Sequence, residues 1–348
     1  MEVSPFPRDL ARTQVKFKRS EATRPKTGPS QQLALECADA TFRSPHGSDA
    51  PMLNRQTIRN PVEVEGIALH SGESVRLRLV PAEPGVGVFF VRTDRGNAEI
   101  PARLEFQAPS FYSTVLRNGE ESVGTVEHLM AAVSALLVDD LRIELDGPEV
   151  PILDGSARPF VELIHSAGLV EQPAKREYLT LTRPIRLTDE NKRIAAYPCR
   201  EFRVTYGIDF DHPLLGHQEL SVSLWNANAF AEKLAPARTF TFEKDVEALR
   251  GRGLALGGSL DNAIVLGDDG ILNDQELRFP DEFVRHKILD LTGDLSLVGR
   301  AVRAHVVAYR AGHDMHLRLA RAILQARDSW YLAPWSEEAP SREAPAQA

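Results

Sequence analysis

Three side chains have the types and spacing that suit a metal ion. His286 and Asp290 lie in the run Arg285-His286-Lys287-Ile288-Leu289-Asp290, and His128 lies in the pair Glu127-His128. On a helix, residues i and i+4 share a face, so His286 and Asp290 can chelate one ion. His128 offers a third ligand. Two imidazoles and one carboxylate leave the fourth position of a tetrahedral zinc ion open, which marks a catalytic zinc. Glu127, next to His128, then suits the base that deprotonates a water held there. This is the logic of the H-E-x-x-H proteases, although that motif is absent. Spacing alone leaves plainer readings open. An i,i+4 His/Asp pair is more often a surface ion pair. A Glu-His dipeptide at a helix start is favoured by the dipole alone. His313, after Gly312, can be a simple cap, and ten histidines make chance pairs expected. Gly257-Gly258 comes with no GxGxxG or GKS/T pattern, so it carries no phosphate-loop reading.

The elements that must hold these side chains follow from periodicity. Thr125 to about Leu137 reads as a helix with Thr125 at its N-cap. Asp281–Leu291 reads as another, with Val284, Ile288, Leu291 and Leu295 on one side. At about 100° per residue, His286 and Asp290 fall roughly opposite that apolar stripe. Further helices are expected over Ala157–Ala167, Ala227–Leu234, Lys244–Arg250 and His313–Arg327. Val75, Leu77 and Leu79 alternate with polar residues as a half-buried strand does, and so do Leu141, Ile143 and Leu145. Val86–Val91, Tyr178–Leu187, Ile194–Tyr197, Phe202–Phe210 and Ala301–Tyr309 are also strand-like. Strands first and helices later in each half predict two α+β domains, not a doubly wound parallel sheet. The expected boundaries are 53–172 and 178–330, with a linker at 173–177 containing Pro173.

Composition bounds the function. The 348 residues carry a net charge of -8, with 43% hydrophobic and 26% charged residues, as an ordinary globular protein does. The acidic balance argues against a nucleic-acid partner. Two cysteines, Cys37 and Cys199, exclude a disulfide scaffold and a cysteine-rich zinc ribbon. No apolar run approaches the ~18 residues of a membrane span, and the start lacks a secretory h-region, so the expected compartment is the cytoplasm. Residues 1–51 carry eight Lys/Arg against six Asp/Glu and hold six prolines. Residues 1–52 therefore read as a disordered leader, a weak transit peptide, or sequence upstream of a true start at Met52. The tail at 331–348 also reads as disordered.

Longer strings add a resemblance. Thr125-Val126-Glu127-His128-Leu129 resembles the TVEHL signature of the bacterial UDP-3-O-acyl-N-acetylglucosamine deacetylases, the zinc enzymes of lipid A synthesis. Gly66–Gly72 (GIALHSG) resembles their early G-x-G-L-H-[ST]-G segment, and Glu149–Ala157 (EVPILDGSA) their E-x-P-I-x-D-G-S-A segment. Ala237–Phe240 matches ARTF, and Leu277–Lys287 with Asp290 matches L-R-F-x-D-E-F-V-R-H-K-x-x-D. Gly293-Asp294-Leu295 and Gly312-His313 follow at the family spacing, so the likeness covers roughly residues 53–330 in order.

The resemblance implies two similar domains, each a sheet-and-helix layer, with the helices packed together between the two sheets. It implies one Zn2+ held by His128, His286 and Asp290, in agreement with the spacing. Glu127 would be the general base toward the attacking water, and Thr239 would stabilise the oxyanion. Lys287 would add positive charge, and His313, oriented by Asp294, would be the cationic acid for the leaving amine. The substrate would be a UDP-linked acylated amino sugar that loses its N-acetyl group, the committed step of lipid A biosynthesis. Leu69, Phe240, Val246, Ala255, Gly258, Ser259, Ala263 and Val265 would line the acyl passage, ordinary core packing being the plain alternative at each. Phe210 would pack on the uridine, and Arg310 would replace a familiar Lys near the diphosphate. The family suggests a monomer, and the lipid-bearing substrate allows transient membrane contact without an anchor.

Two departures stand out. Ala68 replaces the second Gly of the early motif, and Leu137-Val138-Asp139-Asp140 replaces G-x-D-N. Gly reaches conformations that Ala and Leu do not, so both could alter backbone geometry near the substrate. Two other readings stay open: a related zinc amidase acting on a different amino sugar, and a catalytically silent sugar-nucleotide-binding module.

Overall fold

The structure is a computed structural model that describes residues 54–110, 112–224 and 227–335. The expected leader, the Met52 start and the tail beyond residue 335 lie outside the described residues.

The first half is built on a five-stranded sheet. Its order is Val62–Ile67, Ser74–Pro81, Leu141–Leu145, Val88–Arg92, Ala98–Pro101. The alternation seen in the sequence explains it: Val75, Leu77 and Leu79 are buried, while Arg76 and Arg78 between them face solvent. A three-stranded sheet of Gln107–Ala108, Val115–Asn118 and Glu121–Val123 lies beside it. Helices α1 (Glu127–Ala135) and α2 (Arg158–Ala167) complete this half. Gly168, at φ 70°, ends α2.

The second half centres on Ala301–Tyr309, whose residues 304–309 lie between Lys192–Pro198 and Phe202–Asp209. Ile185–Asp189, Tyr178–Leu181, Trp330–Ala333 and His217–Ser223 complete a seven-stranded sheet. Phe240–Phe242 and Ile264–Leu266 form a short parallel pair. The helices of this half are α3 (Ala227–Lys233), α4 (Glu243–Gly251), α5 (Glu282–Ser296) and α6 (His313–Gln325).

Helix α1 packs on α5 and α2, and α5 packs on α6. α2 also meets Val62–Ile67, α5 meets Phe202–Asp209, and α6 meets Lys192–Pro198. Helices α1, α2, α5 and α6 thus form a shared layer between the two sheets, the expected α+β arrangement. No helix among the described residues is long and apolar enough to cross a membrane.

Local expectations fail in four places. Most of the expected linker is strand: Leu169–Lys175 pairs antiparallel with Asn54–Ile58. Pro173 is accommodated because the register shifts between Asn54 and Gln56, opposite it, and a bulge spares the missing N–H. The expected single strand Tyr178–Leu187 is broken before Pro184, which also lacks an N–H to continue a ladder. The tail is ordered through Ala333, where Trp330–Ala333 pairs with Tyr178–Leu181 and the Trp330 indole donates to the Ile323 carbonyl at 2.7 Å. Finally, Thr125 is not the cap of α1. It sits at φ 52°, and its hydroxyl donates to Glu149 at 2.6 Å instead.

Candidate metal centre and active site

The site forms where α1 crosses α5. Gly293 permits the crossing, because a Cβ there would lie 2.0 Å from the Glu127 carbonyl oxygen. The first turn of α1 supplies Glu127 and His128, and α5 supplies His286, Lys287, Asp290 and Asp294. His313 is the first residue of α6. The side of α5 opposite its apolar stripe is therefore covered by α1. His286 and Asp290 are only 1% and 2% exposed, which excludes a surface ion pair.

His128, His286 and Asp290 converge. His286 Nε2 lies 3.2 Å and His128 Nε2 3.6 Å from Asp290 Oδ1. Ligands of one tetrahedral zinc ion stand roughly 3.4 Å apart, so the set fits such an ion. His286 Nδ1 donates to the Ala237 carbonyl at 3.0 Å, which leaves Nε2 as an unprotonated donor atom. Burial lowers His286 to about 3, so its ring is neutral, as a ligand must be. Burial opposes the charge on Asp290, but His286 and Lys287 outweigh it and hold the carboxyl well below its ordinary range. Asp290 Oδ1 and His128 Nδ1 are buried without a hydrogen-bond partner among the described residues. An orphaned carboxylate oxygen is costly in a protein interior, and a cation held by Asp290 Oδ1 with the two Nε2 atoms would remove that cost. Lys287 Nζ reaches the other Asp290 oxygen at 2.9 Å.

Glu127 and His313 stand together beside this set, with His313 Nε2 at 3.8 Å from Glu127 Oε1 and 3.9 Å from Asp290 Oδ2. Burial raises Glu127 to about 6, against the pull of His313 and His128. On its other side, His313 Nδ1 donates to Asp294 Oδ2 at 2.7 Å. Burial disfavours the imidazolium, but Asp294, Asp290 and Glu127 outweigh it and push His313 up to about 10. Asp294 is itself held at about 2, with burial overcome by His313 and His316. Site carboxylate and site imidazole thus have ionisations set far apart, as an acid and a base at one centre require. Asp294, His313 and His316 also cluster as a second set of potential ligands. Their donor atoms are already paired with one another at 2.7 and 2.8 Å, so this set is a hydrogen-bonded relay.

All eight residues expected along the acyl passage line one cavity of about 120 Å³, together with Thr239, Tyr112 and Arg250. Thr239 lines this cavity next to Phe240, whose ring stands 6.4 Å from that of His286. Phe210 packs edge-on to Phe240 at 5.9 Å, placing it beside the passage. Arg310 lies at the end of the central strand, bonded to Asp209 at 2.9 Å. A larger cavity of about 400 Å³ adjoins the passage, sharing His70 and Tyr112. Glu149 anchors the His70 loop by accepting the amides of His70 and Ser71 at 3.0 Å, alongside the Thr125 hydroxyl.

Sequence reasoning assigned no role to Thr114, Glu149 or His316. Glu149 stands inside a quoted segment, but nothing local reveals which atoms it holds. Thr114 and His316 stand in no recognisable pattern.

A family model described as UDP-3-O-acyl N-acetylglycosamine deacetylase matches residues 55–325. The chain belongs to this deacetylase family. A UDP-3-O-acyl-N-acetylglucosamine deacetylase of Syntrophotalea carbinolica is 46% identical over 289 residues, covering 83% of this chain and 93% of that protein. One of Myxococcus xanthus is 46% identical, covering 81% and 90%. One of Hahella chejuensis is 43% identical, covering 83% and 97%.

Within the deacetylase family framework, the two departures have different physical weight. Ala68 is fully buried and bridged to Pro151, outside the left-handed region, so the extra methyl needs no unusual backbone. Leu137 sits at φ 54°, where a side chain strains the backbone and a glycine does not.

Proposed function

We propose that this chain hydrolyses the N-acetyl group of UDP-3-O-acyl-N-acetylglucosamine, giving acetate and the free 2-amine, as the committed step of lipid A biosynthesis. The observation that carries this is that Glu127 and His313 stand 3.8 Å apart beside the buried His128/His286/Asp290 set. His128, His286 and Asp290 would hold one zinc ion. When bound, the ion polarises water and the amide carbonyl and balances negative charge that develops on oxygen.

The chain's own residues supply the proton transfers. Glu127 takes a proton from the attacking water as its oxygen adds to the acetamido carbon. The Thr239 hydroxyl donates to the carbonyl oxygen as it gains charge, and Lys287 adds a positive field. The C–N bond then breaks. An amine is a poor leaving group, so His313 gives its Nε2 proton to the departing nitrogen. Asp294 keeps His313 charged and its Nε2 aimed at that nitrogen.

The acyl chain lies along the passage from Leu69 to Val265. Phe210 stacks on the uracil, and Arg310, beside Asp209, meets the diphosphate. We further propose that residues 54–175 and 178–333 are two domains of a monomer working in the cytoplasm, with transient membrane contact through the lipid-bearing substrate. Purified protein with zinc should release acetate from UDP-3-O-acyl-N-acetylglucosamine. No acetate from folded, zinc-loaded protein would overturn the reading.

A further inference from the structure

Thr114 is fully buried and uses three of its polar groups at the centre of the site. Its amide donates to Glu127 Oε2 at 3.0 Å. Its carbonyl accepts the Val126 amide at 3.3 Å, one residue before the base. Its hydroxyl donates to Asp294 Oδ1 at 2.5 Å and lies 3.5 Å from His313 Nδ1. The other oxygen, Asp294 Oδ2, accepts both His313 Nδ1 and His316 Nδ1, at 2.7 and 2.8 Å. His316 is in turn braced by the Tyr206 hydroxyl, 2.9 Å from its Nε2.

A carboxylate held at one oxygen can pivot about its Cβ–Cγ bond. Held at both, it cannot turn without breaking a buried hydrogen bond and leaving a buried polar group unpaired. The imidazole bonded to that carboxylate inherits its orientation. Thr114 therefore ties the base and the acid to one residue: the amide sets the Glu127 carboxylate, and the hydroxyl sets the Asp294–His313 pair.

We infer that Thr114 is a positioning residue for the acid–base pair, acting through Asp294 by way of its hydroxyl. It touches neither the donor set nor the proposed substrate path, so its effect falls on proton transfer and not on substrate affinity. The inference rests on the deacetylase reading, in which His313 protonates the leaving amine.

Thr114→Val removes the hydroxyl, nearly preserves the shape and leaves the amide bond to Glu127. Its kcat for acetate release should fall about 10- to 100-fold, the usual range for a residue that supports a reacting group. KM should stay within about twofold, with zinc content unchanged. Thr114→Ser should recover most of the rate. In an Asp294→Asn background the valine substitution should cost little more, because the two changes act through one contact. If the valine variant does not fold, Thr114→Ala carries the same comparison. A kcat within twofold of wild type, a loss expressed in KM, or a fully multiplicative loss with Asp294→Asn would overturn the inference while leaving the deacetylase reading intact. A wild-type protein that releases no acetate would overturn both.

Discussion

His286 and Ala237 stand 3.0 Å apart, ring Nδ1 to carbonyl oxygen, and this one bond turns the free nitrogen of His286 toward Asp290. The carbonyl belongs to the residue two before Thr239, so the loop that lines the passage also sets a proposed metal ligand. The backbone there is fixed in turn by Arg238, which reaches buried Glu282 at the start of α5 through its amide and guanidinium at 3.0 and 2.9 Å. Arg238→Met leaves Glu282 buried without that partner, which costs about 3–5 kcal/mol. Thermal unfolding should register this loss, together with weaker zinc retention measured by competition with a chelator.

Metal removal should show in stability as well as in rate. Zinc at about 100 times its Kd adds roughly 2.7 kcal/mol to a folded state that alone assembles the ligands. Chelated protein should therefore unfold at lower temperature, lose acetate release, and recover both with zinc. Asp290→Ala protein should show no zinc-dependent rise in Tm.

Glu127→Ala separates base from ligand. Glu127 contributes no atom to the donor set, so zinc content should persist while kcat falls by about 10²–10⁴. Loss of the metal together with activity would mean that the base is wrongly assigned.

The pH profile follows from two ionisations of opposite sense. In the proposed mechanism activity needs Glu127 as carboxylate, and burial places it at about 6, so the acid limb should fall off below that value; a bound cation would move it lower. The same mechanism needs His313 as imidazolium, and its carboxylate neighbours place it at about 10, so the alkaline limb should lie near there. The same raised value gives stability that is complete below the ordinary histidine pKa and lost as pH rises through about 10. Asp294→Asn should bring the alkaline limb down by about 1–3 units, read from kcat/KM against pH.

Two backbone positions should respond with opposite signs. Gly293→Ala drives a methyl into the Glu127 carbonyl, and backbone cannot move aside as a flexible side chain can. It should destabilise by about 1–3 kcal/mol or more and shift Glu127, so that Tm and kcat fall together. Leu137→Gly releases a left-handed strain of roughly 1–2 kcal/mol, partly offset by the greater freedom of glycine in the unfolded chain. A Tm about 2 °C higher is expected by calorimetry.

Much of the proposed metal set was legible because its signal is local. Four-residue spacing on one helix brings His286 and Asp290 together whatever surrounds that helix. Their burial was not legible, because the covering element, α1, is specified elsewhere in the chain. The eight passage residues gather in one cavity for a similar reason: they sit in two neighbouring stretches, apart from Leu69. Thr114 was invisible because its partner Asp294 lies 180 residues away and neither residue type announces the contact. Thr125 misled because a threonine before a helix suits a cap, yet Glu149 offered its hydroxyl a buried carboxylate. Pro173 misled because a proline rule cannot foresee the bulge that accommodates it.

The crossing of α1 and α5 has a consequence for the order of events during synthesis. One candidate ligand, His128, is made with the first half, and the chelating pair is made much later. A nascent chain ending before α5 presents a lone imidazole beside Glu127, which is too few donors to retain zinc against cellular ligands. Loading of the proposed metal would thus wait on docking of the halves. A substitution that weakens their contact would then lower the metal content of the purified protein.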